Sequence, residues 1–178
     1  MYDFEEQLKN DGFTVFPIAV PESSPKAKEF RKLCEKNECG EYDTNWGCPP
    51  GVGTLEELSK VLGQASKAFL IRKRYELDPE DRAKVKEATD DMTYHARQAA
   101  NLAIDEVSVK ILGDGGCRYC GVCTYPDSEC EFPLERIDSV SSYGIDMEEV
   151  LKNIGEKFVF EKDAITLNSI LLINERPS

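Results

Sequence analysis

The chain has 178 residues, of which 40% are apolar, and a formal net charge of −12. This length is typical of one domain with its own hydrophobic core, so we predict a single domain over residues 1–178. The acidic charge disfavours nucleic acid as a partner, because phosphates would be repelled. No stretch approaches the roughly 20 apolar residues that span a bilayer, and the acidic first residues do not resemble a signal peptide. We therefore expect a cytoplasmic protein that does not bind membranes.

The first part of the chain alternates between predicted helices and strands. A short amphipathic helix over residues 2–8 precedes a strand over 13–20, in which Pro17 favours a position at the edge of a sheet. A serine-capped helix follows over 25–36. Residues 37–53 are rich in glycine, asparagine and proline, which predicts a loop.

The middle of the chain carries the clearest helix signals. Thr54 and Glu57 form a capping-box pattern at the start of a helix that ends at Leu62. A buried strand is predicted over 68–75. A long helix over 78–103 follows, with a stripe of small apolar residues that predicts close packing against a sheet.

The last part of the chain completes the predicted sheet. An alternating strand over 106–112 leads into a glycine-rich turn, and Asp146 caps a helix that ends at Ile154. Short strands are predicted over 158–160 and 169–173. Because helices and strands alternate, we predict an α/β or α+β fold with one mixed sheet, flanking helices and cysteine-rich metal-binding loops.

Four of the seven cysteines lie within fourteen residues and form what we call the downstream group: Cys117, Cys120, Cys123 and Cys130. A triple repeat of the two-residue spacing is typical of ferredoxin-like iron–sulfur sites. In bacterial ferredoxins the fourth cysteine follows after three residues and ligates another cluster. Here the gap is six residues, so we predict one local [4Fe–4S] cluster. Structural zinc is the alternative, although four-thiolate zinc sites usually consist of two separated pairs.

Cys34, Cys39 and Cys48 form the upstream group, whose spacing matches no rule by itself. Three interpretations are open. The group holds a second cluster with three protein ligands and one open iron, or one of its cysteines completes the downstream site. In the third interpretation, the three are ordinary buried cysteines. The prolines Pro49 and Pro50 favour the second cluster, because they fix the backbone and present no competing amide donors.

These segments resemble a prokaryotic family of predicted metal-binding proteins of unknown function. The matching motifs cover roughly residues 30–155 and are, in chain order, Cys34, Cys39-Gly40-x-Tyr42, Asn45-Trp46-x-Cys48-Pro49-Pro50, Gly116-Cys117-x-x-Cys120-Gly121-x-Cys123, Cys130-x-x-Pro133 and Tyr143-Gly144-Ile145-Asp146. The resemblance implies metal binding by all seven cysteines and supplies no reaction.

We therefore expect an oxygen-sensitive iron–sulfur protein, suited to an anaerobe, with one [4Fe–4S] cluster or two. In the first hypothesis the downstream cluster passes single electrons, and the acidic surface docks on a basic patch of a redox partner. In the second, the protein is an enzyme whose upstream cluster binds a small-molecule substrate at its open iron. In the third, zinc stabilises an interaction module without catalysis.

Overall fold

A computed structural model describes residues 3–103 and 107–175 of the chain. These residues form five α-helices and five strands. In chain order the elements are α1 (Asp3–Asn10), β1 (Thr14–Ile18), α2 (Ala27–Glu35), α3 (Leu55–Gln64), β2 (Lys67–Glu76), α4 (Arg82–Ala103), β3 (Val107–Gly113), β4 (Ile137–Ser139), a 3₁₀ turn (Val140–Tyr143), α5 (Met147–Asn153) and β5 (Ala164–Glu175). In this part of the chain no helix combines the length and apolar character needed to cross a membrane.

The strands form one mixed sheet in the order β1-β2-β5-β3-β4. The pairs from β1 to β3 are antiparallel, whereas β3 and β4 are parallel. Two parallel strands cannot be joined by a tight hairpin and need a long crossover connection. Residues 114–136 are that connection, and they carry the four cysteines of the downstream group.

Both faces of the sheet are buried, which explains the nearly continuous apolar runs of β2 and β5. Phe69 and Ile71 pack in the core that α1 and α4 cover, whereas Ala68 and Leu70 pack in the core that α3 and α5 cover. The predicted small-residue stripe of α4 is half-buried at Val85 and buried at Ala88, Met92, Ala96, Ala99 and Ala103, and Ala100 is buried as well. The sheet with helices on both faces confirms the predicted α/β class with one mixed sheet.

Most predicted elements are present with shifted ends. β1 is an edge strand, as Pro17 indicates. The long helix begins at Arg82 instead of residue 78, because the carboxylate of Asp81 accepts the N–H groups of Ala83 and Lys84 and caps the helix there. The predicted elements also included residues 2 and 106, which lie outside the described residues.

The predicted strand over residues 158–160 is wrong. The edge strands of the sheet are β1 and β4, and this segment pairs with neither of them. The side chain of Phe160 is 97% exposed. It is held instead from β2, where Arg72 donates to Lys157 O at 2.8 Å and Arg74 pairs with Glu161 at 3.0 Å. Side-chain bonds from a neighbouring strand thus replace the backbone ladder that a strand would need.

Candidate metal centres

Both cysteine groups lie beside β4, an edge strand of the sheet. This strand donates a backbone N–H to Gly47 O at 2.8 Å, so the chain around Gly47 runs along its outer side. The downstream group faces α4, where Arg97 Nη2 lies 4.0 Å from Cys117 Sγ. The upstream group faces the 3₁₀ turn, where Ser141 Oγ lies 3.9 Å from Cys34 Sγ. The two groups therefore lie at the same edge of the sheet and face different neighbouring elements.

The other three thiols of the downstream group lie close enough to Cys120 to affect its pKa. All four cysteines are free and half-buried. The pKa of Cys120 is raised, first by burial of its own thiol and then by the neighbouring thiols of Cys117, Cys130 and Cys123. The backbone reverses between Cys120 and Cys123 at Gly121, whose φ of +66° is a left-handed conformation that suits glycine. The crossover loop thus presents one cluster of thiols.

A fully buried carboxylate lies beneath the downstream group. Asp138 accepts hydrogen bonds from Lys110 Nζ at 2.8 Å, Arg136 Nε at 2.8 Å and the hydroxyl of Tyr143 at 2.6 Å. Burial lowers the pKa of Lys110, and Asp138 partly offsets that effect. Two cations share one anion here, so the network carries a surplus positive charge.

This surplus charge is close to the cysteines. Burial and Asp138 have the larger effects on the pKa values of both cations. Cys117 has a smaller effect on the pKa of Lys110, and Cys130 has a smaller effect on the pKa of Arg136. Arg97 adds a further cation: its Nε donates to Glu135 O at 2.9 Å while its Nη2 approaches Cys117. The downstream group is therefore surrounded on its inner side by positive charge.

The upstream group is assembled from α2 and the following loop. Cys48 is only 5% exposed, whereas Cys34 is half-buried and Cys39 is exposed. Burial raises the pKa of Cys48 to about 12; a hydrogen bond with Asn45 opposes this shift, and Glu41, Cys39 and Cys34 add to it. The three thiols are thus close enough to influence one another.

Arg31 anchors the end of α2 against the elements around the upstream group. Its Nε donates to Ser142 O at 3.0 Å and its Nη2 to Gly53 O at 2.6 Å. Burial lowers the pKa of Arg31, and the nearby thiol of Cys34 opposes that change. Arg31 therefore places a positive charge beside this group as well.

A single buried side chain joins the two groups. Asn45 is 3% exposed, and its Oδ1 accepts the N–H groups of Gly47 at 2.9 Å and Cys117 at 3.3 Å. A Cβ atom on Gly47 would lie 2.2 Å from Ile137 O and 3.2 Å from Cys117 Cβ, so only glycine fits there. The segment that carries Cys48 and the loop that carries Cys117 are therefore packed directly against each other.

The chain matches a family model over residues 21–173, described as predicted metal-binding protein (DUF2284). It belongs to this family of predicted metal-binding proteins. No curated protein matches the chain, and no solved structure matches it.

The donor set of this family member suits a metal centre with thiolate ligands. Iron–sulfur clusters and structural zinc sites both use such ligands, and the downstream group offers four of them beside several cations. A mononuclear zinc site would need its sulfurs about 2.3 Å from one point. Among the described residues, no three cysteine, histidine, aspartate or glutamate side chains are grouped so that they could hold a metal ion in this way.

Two features of the site were not predicted from the sequence of this family member. The Asp138 network has a weak signal, because Arg136 and Asp138 flank the apolar Ile137 at the start of β4, and alternate residues of an extended chain point to the same side. The role of Asn45 has no local signal, because its partner Cys117 lies 72 residues away.

Proposed function

We propose that the protein is an iron–sulfur redox protein in which the downstream group binds a [4Fe–4S] cluster that exchanges single electrons with a partner protein. The main support is the positive charge gathered around these thiols, from Arg97, Lys110 and Arg136, in a chain of net charge −12. When bound, such a cluster supplies a reversible one-electron couple.

The surrounding residues would have two effects on that couple. A cluster with four thiolate ligands is anionic and becomes more so on reduction, so nearby cations stabilise the reduced form and raise the reduction potential. Asp138 partly neutralises these cations, because it pairs with both Lys110 and Arg136. The balance of this network would therefore set where the potential lies.

The upstream group supports a second centre. Its three thiols influence one another, and the contact through Asn45 and Gly47 lies between them and the downstream group. Three thiols leave one position of a four-iron cluster without a cysteine ligand. We infer that a small molecule binds at this position, which makes an enzyme the second candidate function.

Metal and sulfide counts test the proposal. We expect the protein, purified or reconstituted without oxygen, to be brown and to hold about eight irons and eight sulfides per chain with two clusters, or about four of each with one. A colourless protein that holds zinc and no sulfide would overturn both iron-dependent functions.

Serine variants test whether the centres are separate. We expect Cys120→Ser and Cys48→Ser each to lose about half of the iron of a two-cluster protein, each from a different site. Thr44→Ala is the matched control, because its exposed hydroxyl lies in the upstream loop and only bonds Glu41 O and Asn45. If Cys48→Ser keeps all the iron, the proposal of an upstream centre is wrong. If Cys120→Ser keeps all the iron, the proposal of a downstream centre is wrong.

A further inference from the structure

The loop that carries the downstream group exposes apolar side chains to solvent. The exposed fractions are 44% for Tyr119, 87% for Val122, 44% for Phe132 and 57% for Leu134, and we call these four the loop patch. The rings of Tyr119 and Phe132 pack edge to face at 5.2 Å. Val122 stands in the sequence between Cys120 and Cys123, so this apolar surface belongs to the loop that carries the thiols. Apolar side chains gathered at one exposed place often mark an interaction site.

The loop that carries the loop patch also exposes acidic side chains. Asp127, Glu129 and Glu131 are exposed, and none of them has an ion-pair partner within the part of the chain that the structure describes. No lysine or arginine occurs between Arg118 and Arg136. Between these two arginines the exposed side chains of the loop are therefore apolar, polar or negative, and none is positive.

The inner side of the same loop has the opposite charge. The side chains of Lys110 and Arg136 are 22% and 23% exposed, and Arg97 lies 4.8 Å from the ring of Tyr119. These cations are turned towards the cysteines and the core. A partner that approaches from solvent would meet the apolar and acidic side chains first.

We propose that the loop patch is the docking surface for a redox partner protein that presents an apolar contact area ringed by lysine and arginine side chains. This inference rests on the proposed redox function. Electron-transfer complexes are small and transient, with an apolar centre and a polar rim, and opposite charges on the two rims speed their encounter. The loop patch combines these features in the same loop as the thiols.

Another exposed apolar segment, Phe158, Val159 and Phe160, lacks this combination. It carries no cysteine, and Lys157 and Lys162 offset Glu156 and Glu161 on its two sides. Its exposure therefore provides a matched control for the loop patch.

Electron transfer to cytochrome c, a small basic haem protein, tests the docking surface. One electron passes from the dithionite-reduced protein to the ferric haem, and no bond forms or breaks. We expect Glu129→Lys/Glu131→Lys to lower the second-order rate constant about tenfold at low ionic strength, and the difference to shrink as salt screens the charges. Glu148→Lys/Glu149→Lys, with the same change of charge on α5, should alter the rate constant less than about twofold.

Uncharged substitutions test the apolar part of the loop patch. We expect Val122→Gln to lower the rate constant with cytochrome c about threefold or more, and Phe160→Gln to leave it unchanged. If Val122→Gln loses iron, Leu134→Gln provides the same test at a position farther in the sequence from the cysteines. All variants should keep their rate with benzoquinone, a neutral oxidant that needs no docking.

The two proposals fail in different ways. If the loop-patch variants behave like their α5 and Phe160 controls while benzoquinone is still reduced, the docking surface is wrong and the redox function stands. If the wild-type protein reduces neither oxidant and shows no reducible iron signal, the redox function itself is wrong.

Discussion

The two cysteine groups differ in how they are built and in what surrounds them. The downstream group lies within one crossover loop, with exposed apolar side chains such as Val122 outside and the Asp138 network inside. The upstream group lies between α2 and the 3₁₀ turn, where Cys34 contacts Ser141, and its Cys48 is 5% exposed. The downstream group thus lies in a loop with exposed apolar side chains, whereas the upstream group combines an enclosed thiol, Cys48, with an exposed one, Cys39.

This difference suggests a division of labour. A centre that exchanges electrons with a partner must lie near the surface, whereas a centre that binds a small molecule gains from exclusion of water. The contact between Asn45 and Cys117 places the two groups side by side. Three substitutions test this arrangement: one lies beneath the downstream group, and two lie at the contact itself.

Asp138→Asn should have the largest effect, because it removes the only anion that Lys110 and Arg136 share in the described network. Leaving buried cations without their partner costs about 3–5 kcal/mol. We expect a loss of that size in the free energy of unfolding of the metal-free protein, measured by urea denaturation. Because the network lies under the downstream group, the iron of that group should also be lost more readily on chelation.

The control for Asp138→Asn is Asp90→Asn, which breaks an exposed ion pair between Lys86 and Asp90 on α4. Such surface pairs contribute about 0.5 kcal/mol or less. If the two variants lose equal stability, the network does not support the downstream group and the contrast between the groups is weaker than we infer.

Local signals predicted much of the fold. Thr54 and Glu57 form the capping box at the start of α3, and Asp146 caps α5, because a cap depends only on residues within one turn. The strand predicted over 158–160 has a suitable local pattern but no partner strand. β4 is the reverse case: three residues are too few for a periodic signal, and the strand exists because it pairs with β3.

The same limit applies to the candidate site. The spacing of the downstream cysteines predicts that their thiols lie near one another, because they belong to one short loop. Contacts such as Lys110 with Asp138, or Cys34 with Ser141, join residues far apart in the sequence. They depend on the crossover between β3 and β4, which no local pattern specifies.

Gly47→Ala should have the second-largest effect, because the added Cβ would lie 2.2 Å from Ile137 O, a backbone atom that cannot move alone. Overpacking of this kind costs about 1–3 kcal/mol, and we expect the upper end. Since Gly47 lies between the groups, both should be disturbed: in the metal-free protein, alkylation of Cys48 and of Cys117 should become faster, as measured by peptide mapping.

Gly63→Ala is the matched control, because Gly63 lies in α3 and a Cβ there meets nothing within 4 Å. Alanine is the better helix former by about 1 kcal/mol, so this variant should be slightly more stable. Faster alkylation of Cys48 alone in Gly47→Ala would show that the groups are not packed together as the contact at Gly47 indicates.

Asn45→Ala should have the smallest effect and gives the most specific test of the contact. The variant leaves the N–H groups of Gly47 and Cys117 without their shared acceptor, and we expect a loss of about 1–2 kcal/mol. Hydrogen exchange of these two amides should speed up together in the metal-free protein, because one oxygen protects both. Thr44→Ala should leave both amides protected, since its hydroxyl bonds Glu41 O and only the Nδ2 group of Asn45, which keeps its hydrogen bonds to Glu41. If only the Gly47 amide loses protection, Asn45 supports the upstream loop alone, and the two centres would then be neighbours without a common support.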